Sequence, residues 1–191
     1  MSPRHSLCSE RGMVLVTSLL MLVVVTILAI GLFHAFGLDE KIAGNTREKQ
    51  RALQAAVSAE QYAEWWLVNG TSVANTNCTG TVLASVGQVC VNVLTTSVAN
   101  VAVVPWVIGG NTVQVTYTPP GMNIAASGAG NYYTSPAYYI SYLGVGLGAN
   151  SIAGNVYQID ALGYGGSPNT AAVVESTFIV QTSSTSDRGG L

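Results

Sequence analysis

Between Arg11 and Asp39 the chain reads GMVLVTSLLMLVVVTILAIGLFHAFGL, twenty-seven consecutive positions without a formal charge. As a helix rising 1.5 Å per residue this run is about 40 Å long, more than the roughly 30 Å hydrocarbon core of a bilayer. The pattern then changes rather than stops. Ala52, Ala56, Ala59 and Ala63 fall at i, i+4, i+7 and i+11, a narrow stripe of small residues on one helical face with Leu53 and Val57 beside it. Small side chains let a helix backbone come close to a sheet. No proline stands between Ser6 and Pro105. The economical expectation is one helix over about residues 13–68, softened at Gly31, Gly37 and Gly44, where glycine costs about 1 kcal/mol relative to alanine.

Past Gly70 the period shortens to two. TVQVTY (112–117) places Val113, Val115 and Tyr117 on one face. YYISY (138–142), VYQIDAL (156–162) and AAVVESTFIV (171–180) are the other expected strands, and in the last Ala172, Val174, Ser176, Phe178 and Val180 share a face. Gly-Gly and Pro-Asn between the final two suit an antiparallel hairpin. Strands gathered after one long helix predict an α+β domain, with the helix's second half laid across a mainly antiparallel sheet. Residues 71–110 are expected to connect helix to sheet within a β-rich region at 71–180, and 181–191 to form a flexible tail.

Charge narrows the functional classes. Six of the seven basic residues (Arg4, Arg11, Lys41, Arg47, Lys49, Arg51) lie in the first 51 positions, and from Trp65 onward only Asp160, Glu175, Asp187 and Arg188 are charged. Nucleic acid is not an expected partner, because neutralising phosphates takes clustered Lys or Arg. The two histidines are His5, ahead of the apolar run, and His34 near its far end, where a neutral interfacial role is expected. Asp160 and Glu175 sit singly on separate strands and would have to meet across the sheet for paired acid and base catalysis. Neither an enzyme, a cofactor nor a metal is expected. LGVGLGA at 143–149 fits G-x-G-x-x-A, but only NSIAGN separates it from the next strand, too short for the crossover helix of a dinucleotide site. A glycine-rich surface loop is the simpler expectation.

Cys8 precedes the apolar run, whereas Cys78 and Cys90 follow it. A disulfide across that loop is worth roughly 3 kcal/mol and belongs to an oxidising compartment; two buried thiols are the alternative. Counting Lys and Arg on the flanks of the run favours its C-terminal side inside. The cysteine pair and the charge-poor domain favour the reverse, which is the orientation expected here. An ordinary secretory signal does not fit, since its apolar region is about 7 to 15 residues and ends at a small-residue cleavage site.

A leader ending in Arg11-Gly12, an apolar helix directly after it, and then DEKIAGNTREKQRALQAAVSAEQYAE resemble the PilX-type minor pilins of type IV pili across residues 11–64. VYQIDALGYGGSPNTAAVVESTF at 156–178 is similar to that family's closing strands. The resemblance implies a leader at 1–12, cut by prepilin peptidase after Gly12 to leave an N-methylated Met13. It implies a transmembrane and assembly helix at 13–38 and an amphipathic continuation at 39–70. The chain would wait in the inner membrane, single-pass with its C-terminal domain in the periplasm, and then enter the fibre at the cell surface. Its partners would be the major pilin, other minor pilins, the inner-membrane assembly platform and a tip adhesin.

One departure bears on position. Major pilins carry glutamate at the fifth mature residue, opposite the N-terminal amine of the preceding subunit, and this sequence has Thr17 there. A buried amine without its carboxylate is costly, so Thr17 suits a subunit with nothing ahead of it, initiating the fibre or standing at its tip. Glu60 and Glu64, a like-charged i, i+4 pair, read either as a solvated helix end or as acids that meet the basic segment Arg47 to Arg51 of a neighbouring subunit. Trp65 and Trp66 are both expected in the core, with one exposed ring at an interface as the alternative. The competing functions are a minor pseudopilin of a type II secretion system and an adhesin using Tyr132, Tyr133, Tyr138 and Tyr139 as a contact patch.

Overall fold

The computed structural model describes residues 11–69, 75–76, 78, 89–125, 130–147 and 153–181. Most of the expected leader, the tail and much of the segment around the cysteines lie outside them. The chain divides into two compact units, Met1–Thr46 and Arg47–Leu191. Helix α1 (Arg11–Asn69) supplies the described part of the first unit and continues into the second.

In the first unit the large apolar side chains from Met13 to Phe33 are exposed. Its hydroxyls are satisfied by the helix itself: Thr17 donates to the Val14 carbonyl, Ser18 to Leu15 and Thr26 to Val23, at 2.8–3.0 Å. A helix can thereby carry such residues through an apolar medium without an unpaired donor.

The second unit is a sheet with a helix on one face. Its strands are β1 (Asn75–Thr76), β2 (Val89–Cys90), β5 (Val115–Thr116), β6 (Ala137–Leu147), β7 (Ala153–Tyr164) and β8 (Ala171–Gln181). The order is β1-β2-β6-β7-β8. Strands β6, β7 and β8 form an antiparallel meander, while β2 runs parallel to β6 at Ile140–Ser141 and β5 runs antiparallel to it at Ala137–Tyr138. Two short strands thus share one edge of β6 in succession. The fold is α+β with a mainly antiparallel sheet, as the strand pattern predicts.

The alanine stripe makes the helix–sheet contact. Ala52, Ala55, Ala56, Ala59 and Ala63 are fully buried. The first three face Gly163 of β7, where an added Cβ would fall onto the backbone of Ala52 and Ala56 and 2.8 Å from the Ala55 Cβ. Along β7 the odd positions therefore face the helix and the even positions face away. The far face is covered too: Tyr139 donates to the Asn92 carbonyl, and Tyr164 donates to the carbonyl of Ala102 while accepting the Val104 amide. That covering segment holds Leu94, in the short helix α2 (Leu94–Ser97), and Trp106, whose indole donates to the Val101 carbonyl. Both residues are buried.

Three expectations are corrected. TVQVTY is two strands rather than one: Thr112 belongs to β4 (Asn111–Thr112), paired with β3 (Val107–Ile108), and Val115 belongs to β5. The chain changes partners at Val113 and Gln114, whose backbone N–H and side-chain oxygen bond Trp106. Val113 and Val115 are still both buried. The segment 71–110 is more than a connection, since it supplies two strands of the main sheet. LGVGL is strand rather than loop; β6 runs to Leu147 through a bulge at Gly144, whose φ of +117° suits only glycine.

Gly163→Ala should destabilise the domain by about 3 kcal/mol, because rigid backbone is what the new methyl meets. Gly44→Ala, whose Cβ meets nothing within 4 Å, should gain at most about 1 kcal/mol. Thermal denaturation of the full chain in detergent, followed by circular dichroism, measures both.

Candidate functional site

The helix offers two surfaces of different chemistry. Between Met13 and Phe33 it is apolar on every side, and α1 is the one described helix long and apolar enough to cross a membrane. Thr17 spends its hydroxyl on the turn before it and brings no charge.

In the second unit the first turns of helix clamp the domain. The Arg51 guanidinium pairs with the Glu48 carboxylate at 2.8 Å, donates to the carbonyls of Gly130 and Asn131 at 2.7 and 2.6 Å, and lies 4.5 Å from the centre of the Tyr132 ring. The other Glu48 oxygen accepts the Gly166 N–H at 2.6 Å in the β7–β8 turn. Lys49 donates to the Ala171 carbonyl where β8 begins. Gly165 and Gly166 both lie where a Cβ would come within about 3 Å of the Glu48 carboxylate, which is why the turn needs its glycines. The Gly166 N–H and then Arg51 hold the Glu48 carboxyl below its ordinary pKa of 4.5. Arg51 is therefore occupied within its own domain, bonded to Glu48 and to the carbonyls of Gly130 and Asn131. Arg47, one turn earlier, is exposed.

Two turns on, the outer side of the helix carries Glu60, Glu64 and Trp65. Burial, and then the charge of Glu60, raise the Glu64 pKa. Trp65 is 58 % exposed while Trp66 is half-buried against the core, so the expectation of core packing holds for Trp66 alone. Trp65 stacks on Tyr62, which in turn stacks on Tyr117 at 4.0 Å. An exposed indole is thus held rigidly by the ring behind it.

The helix and the sheet each match a known sequence profile. That of PilX N-terminal covers residues 11–58. That of type IV pilus assembly protein PilX C-term covers residues 69–180, more than half of the chain. The chain belongs to the PilX family. Neither a curated protein nor a solved structure matches it.

A PilX-family chain is a component of type IV pilus assembly, and the apolar helix is suited to membrane anchoring. The remaining features sort themselves against that role. Tyr138 and Tyr139 are each 1 % exposed and cannot form a contact patch: Tyr138 packs toward the helix at Tyr62 and Tyr139 bonds Asn92 on the other face. Tyr132 is half-buried under Arg51, which leaves Tyr133 as the exposed member. Cys78 and Cys90 form a disulfide, with both residues buried and their Cα atoms 5.3 Å apart.

Asp160 and Glu175, taken in the sequence as lone acids, are direct cross-strand partners. The hairpin turn at 165–170 fixes this register, so counting back from it would have found the pair. Asp160 is 1 % exposed beside Tyr139 of β6 and touches the Gln158 amide at 3.3 Å. Burial, and secondarily Glu175, push its carboxyl up to about 6, despite the Gln158 hydrogen bond.

A raised carboxyl means the folded state holds a proton that the unfolded state has released. Stability should therefore fall as pH rises from about 4 to about 6 and stay level above, the full effect being roughly 3 kcal/mol. Glu64 acts in the same direction. Glu48 acts oppositely, losing its contribution as pH drops through its lowered pKa. Melting temperatures of wild type and Asp160→Asn across pH 4 to 8 should converge at the acidic end, with the variant higher at pH 8.

Proposed function

We propose that this PilX-family chain is a non-enzymatic minor pilin that initiates the fibre or stands at its tip. Its leader, residues 1–12, is removed after Gly12 by prepilin peptidase, and Met13 becomes the methylated N-terminus. The chain then waits in the inner membrane, with residues 13–38 spanning and the domain beyond residue 70 in the periplasm. From there it passes into the pilus beside the major pilin and other minor pilins.

The observation that carries this reading is the stretch of α1 from Met13 to Phe33, apolar all round, whose hydroxyls are satisfied by the helix itself. Such a surface exchanges lipid for other helices at little polar cost. Thr17 supports the position: with no acid to receive a preceding subunit's amine, the helix best fits where none precedes it. The Cys78–Cys90 disulfide accords with an oxidising compartment.

Contact with the next subunit runs through the two charged turns of the helix. Arg47 is exposed, and Glu60 and Glu64 have no basic residue after Arg51 until Arg188. Pairing them between parallel helices needs a stagger of about 20 to 25 Å at 1.5 Å per residue.

Mass spectrometry of the mature chain should find an N-methylated Met13, and an intact Met1 or a cut beyond residue 30 would overturn the reading. Glu64→Lys and Arg47→Glu should each reduce piliation on their own without unfolding the domain. Together they should restore much of it. Normal piliation in both single variants would remove the ion pair from the account.

A further inference from the structure

The two ends of the sheet are finished differently. On one side it closes with β1, two residues long. On the other it closes with β8, eleven residues whose register with β7 is unbroken from Ala171 to Gln181. Edge strands are ordinarily blunted by shortness, bulges, proline or charged side chains. β8 has a single such device, the acid Glu175: its sequence AAVVESTFIVQ carries no proline and no basic residue. Lys49 takes the Ala171 carbonyl where the strand starts, but among the described residues no strand pairs with its outer edge. Exposure agrees. β7, flanked on both sides, is buried without a break from Tyr157 to Tyr164, whereas none of Ala171 to Val180 is buried.

Charge says what would pair there. Near the middle of the strand is Glu175, exposed, with Asp160 opposite it on β7. Between Arg51 and Arg188 the chain contains no basic residue, so the strands themselves supply no cation to this pair of acids. A second copy of β8, paired antiparallel about the strand centre, would bring two Glu175 side chains near each other beside two Asp160. Like charges across strands are destabilising. An incoming strand with Lys or Arg opposite Glu175 gains both the backbone ladder and the ion pair.

We propose that the free edge of β8 is a docking strand for an extended segment of a different protein, which adds to the sheet and sets a basic residue against Glu175. The backbone ladder supplies affinity and the charge supplies register and choice of partner. This surface is separate from the helix and does not depend on how the helix enters a fibre.

The probe is a short acetylated peptide of alternating Thr and Val with lysine at its centre, compared with the same peptide carrying glutamate there. Both are added to the full-length protein in detergent micelles, and amide hydrogen exchange is read residue by residue. In the protein alone, alternate amides of β8, those not bonded to β7, should exchange quickly. The lysine peptide should slow those amides, and the glutamate peptide should bind at least about ten-fold more weakly, a difference of about 1.4 kcal/mol. Glu175→Lys should reverse the preference between the two peptides without lowering the melting temperature, since it places a cation opposite Asp160. Alternate β8 amides already protected in the free protein would overturn the proposal. So would protection that falls elsewhere, equal binding of both peptides, or no protection of β8 by either at millimolar concentration.

Discussion

The closeness of helix and sheet at Gly163 governs the domain. With no side chain there, the β7 backbone meets the helix backbone at Ala52 and Ala56, and the alanines on either side are buried because nothing larger would fit between the layers. The same closeness brings the Gly165-Gly166 turn against Glu48 and the start of β8 within reach of Lys49. Small residues on both partners therefore do two things. They exclude water along the seam, and they set the distance at which a glutamate and a lysine on the helix meet main-chain groups of the β7–β8 hairpin.

That geometry explains how so few charges are used. Arg51 and Glu48 are a salt bridge of the i, i+3 kind, which on an exposed helix would contribute little. Here each partner also bonds main chain far away in sequence, Arg51 at Gly130 and Asn131 and Glu48 at Gly166. Charge-assisted bonds to otherwise unpaired main-chain groups are worth more than the ion pair itself. Beyond this clamp the domain is built almost entirely from neutral groups, so the acids at Asp160 and Glu175 face each other with no cation supplied by the strands.

How far the sequence foretells this depends on the range of each interaction. The alanine stripe and the β7–β8 hairpin are local patterns, and both were legible with nearly correct bounds. The orientation of TVQVTY was legible as well, since Val113 and Val115 are buried as their alternation requires. Its division between two sheets was not, because the change of partner depends on Trp106, which lies outside the repeat. Strands of two residues leave no period to detect, so β2 was invisible. Tyr138 and Tyr139 misled for a different reason. Alternation puts neighbours on opposite faces, and this sheet is covered on both. The bonds of Arg51 to the Gly130 and Asn131 carbonyls were not legible, because those groups lie about eighty positions away and composition gives no clue to them.

The two units of α1 solve opposite problems with one secondary structure. In the second unit small residues are selected for contact, and the helix is defined by what it touches. Between Met13 and Phe33 the residues are mostly large and branched, and the helix is defined by making no polar demand on its surroundings, since its two threonines and serine bond carbonyls three residues back. A glutamate in place of Thr17 would break that self-sufficiency, because a carboxylate cannot be satisfied by the carbonyls of its own helix and needs a cation from outside. Thr17 therefore removes an obligation as much as it omits a contact. A helix without that obligation is stable in an apolar medium before any partner arrives.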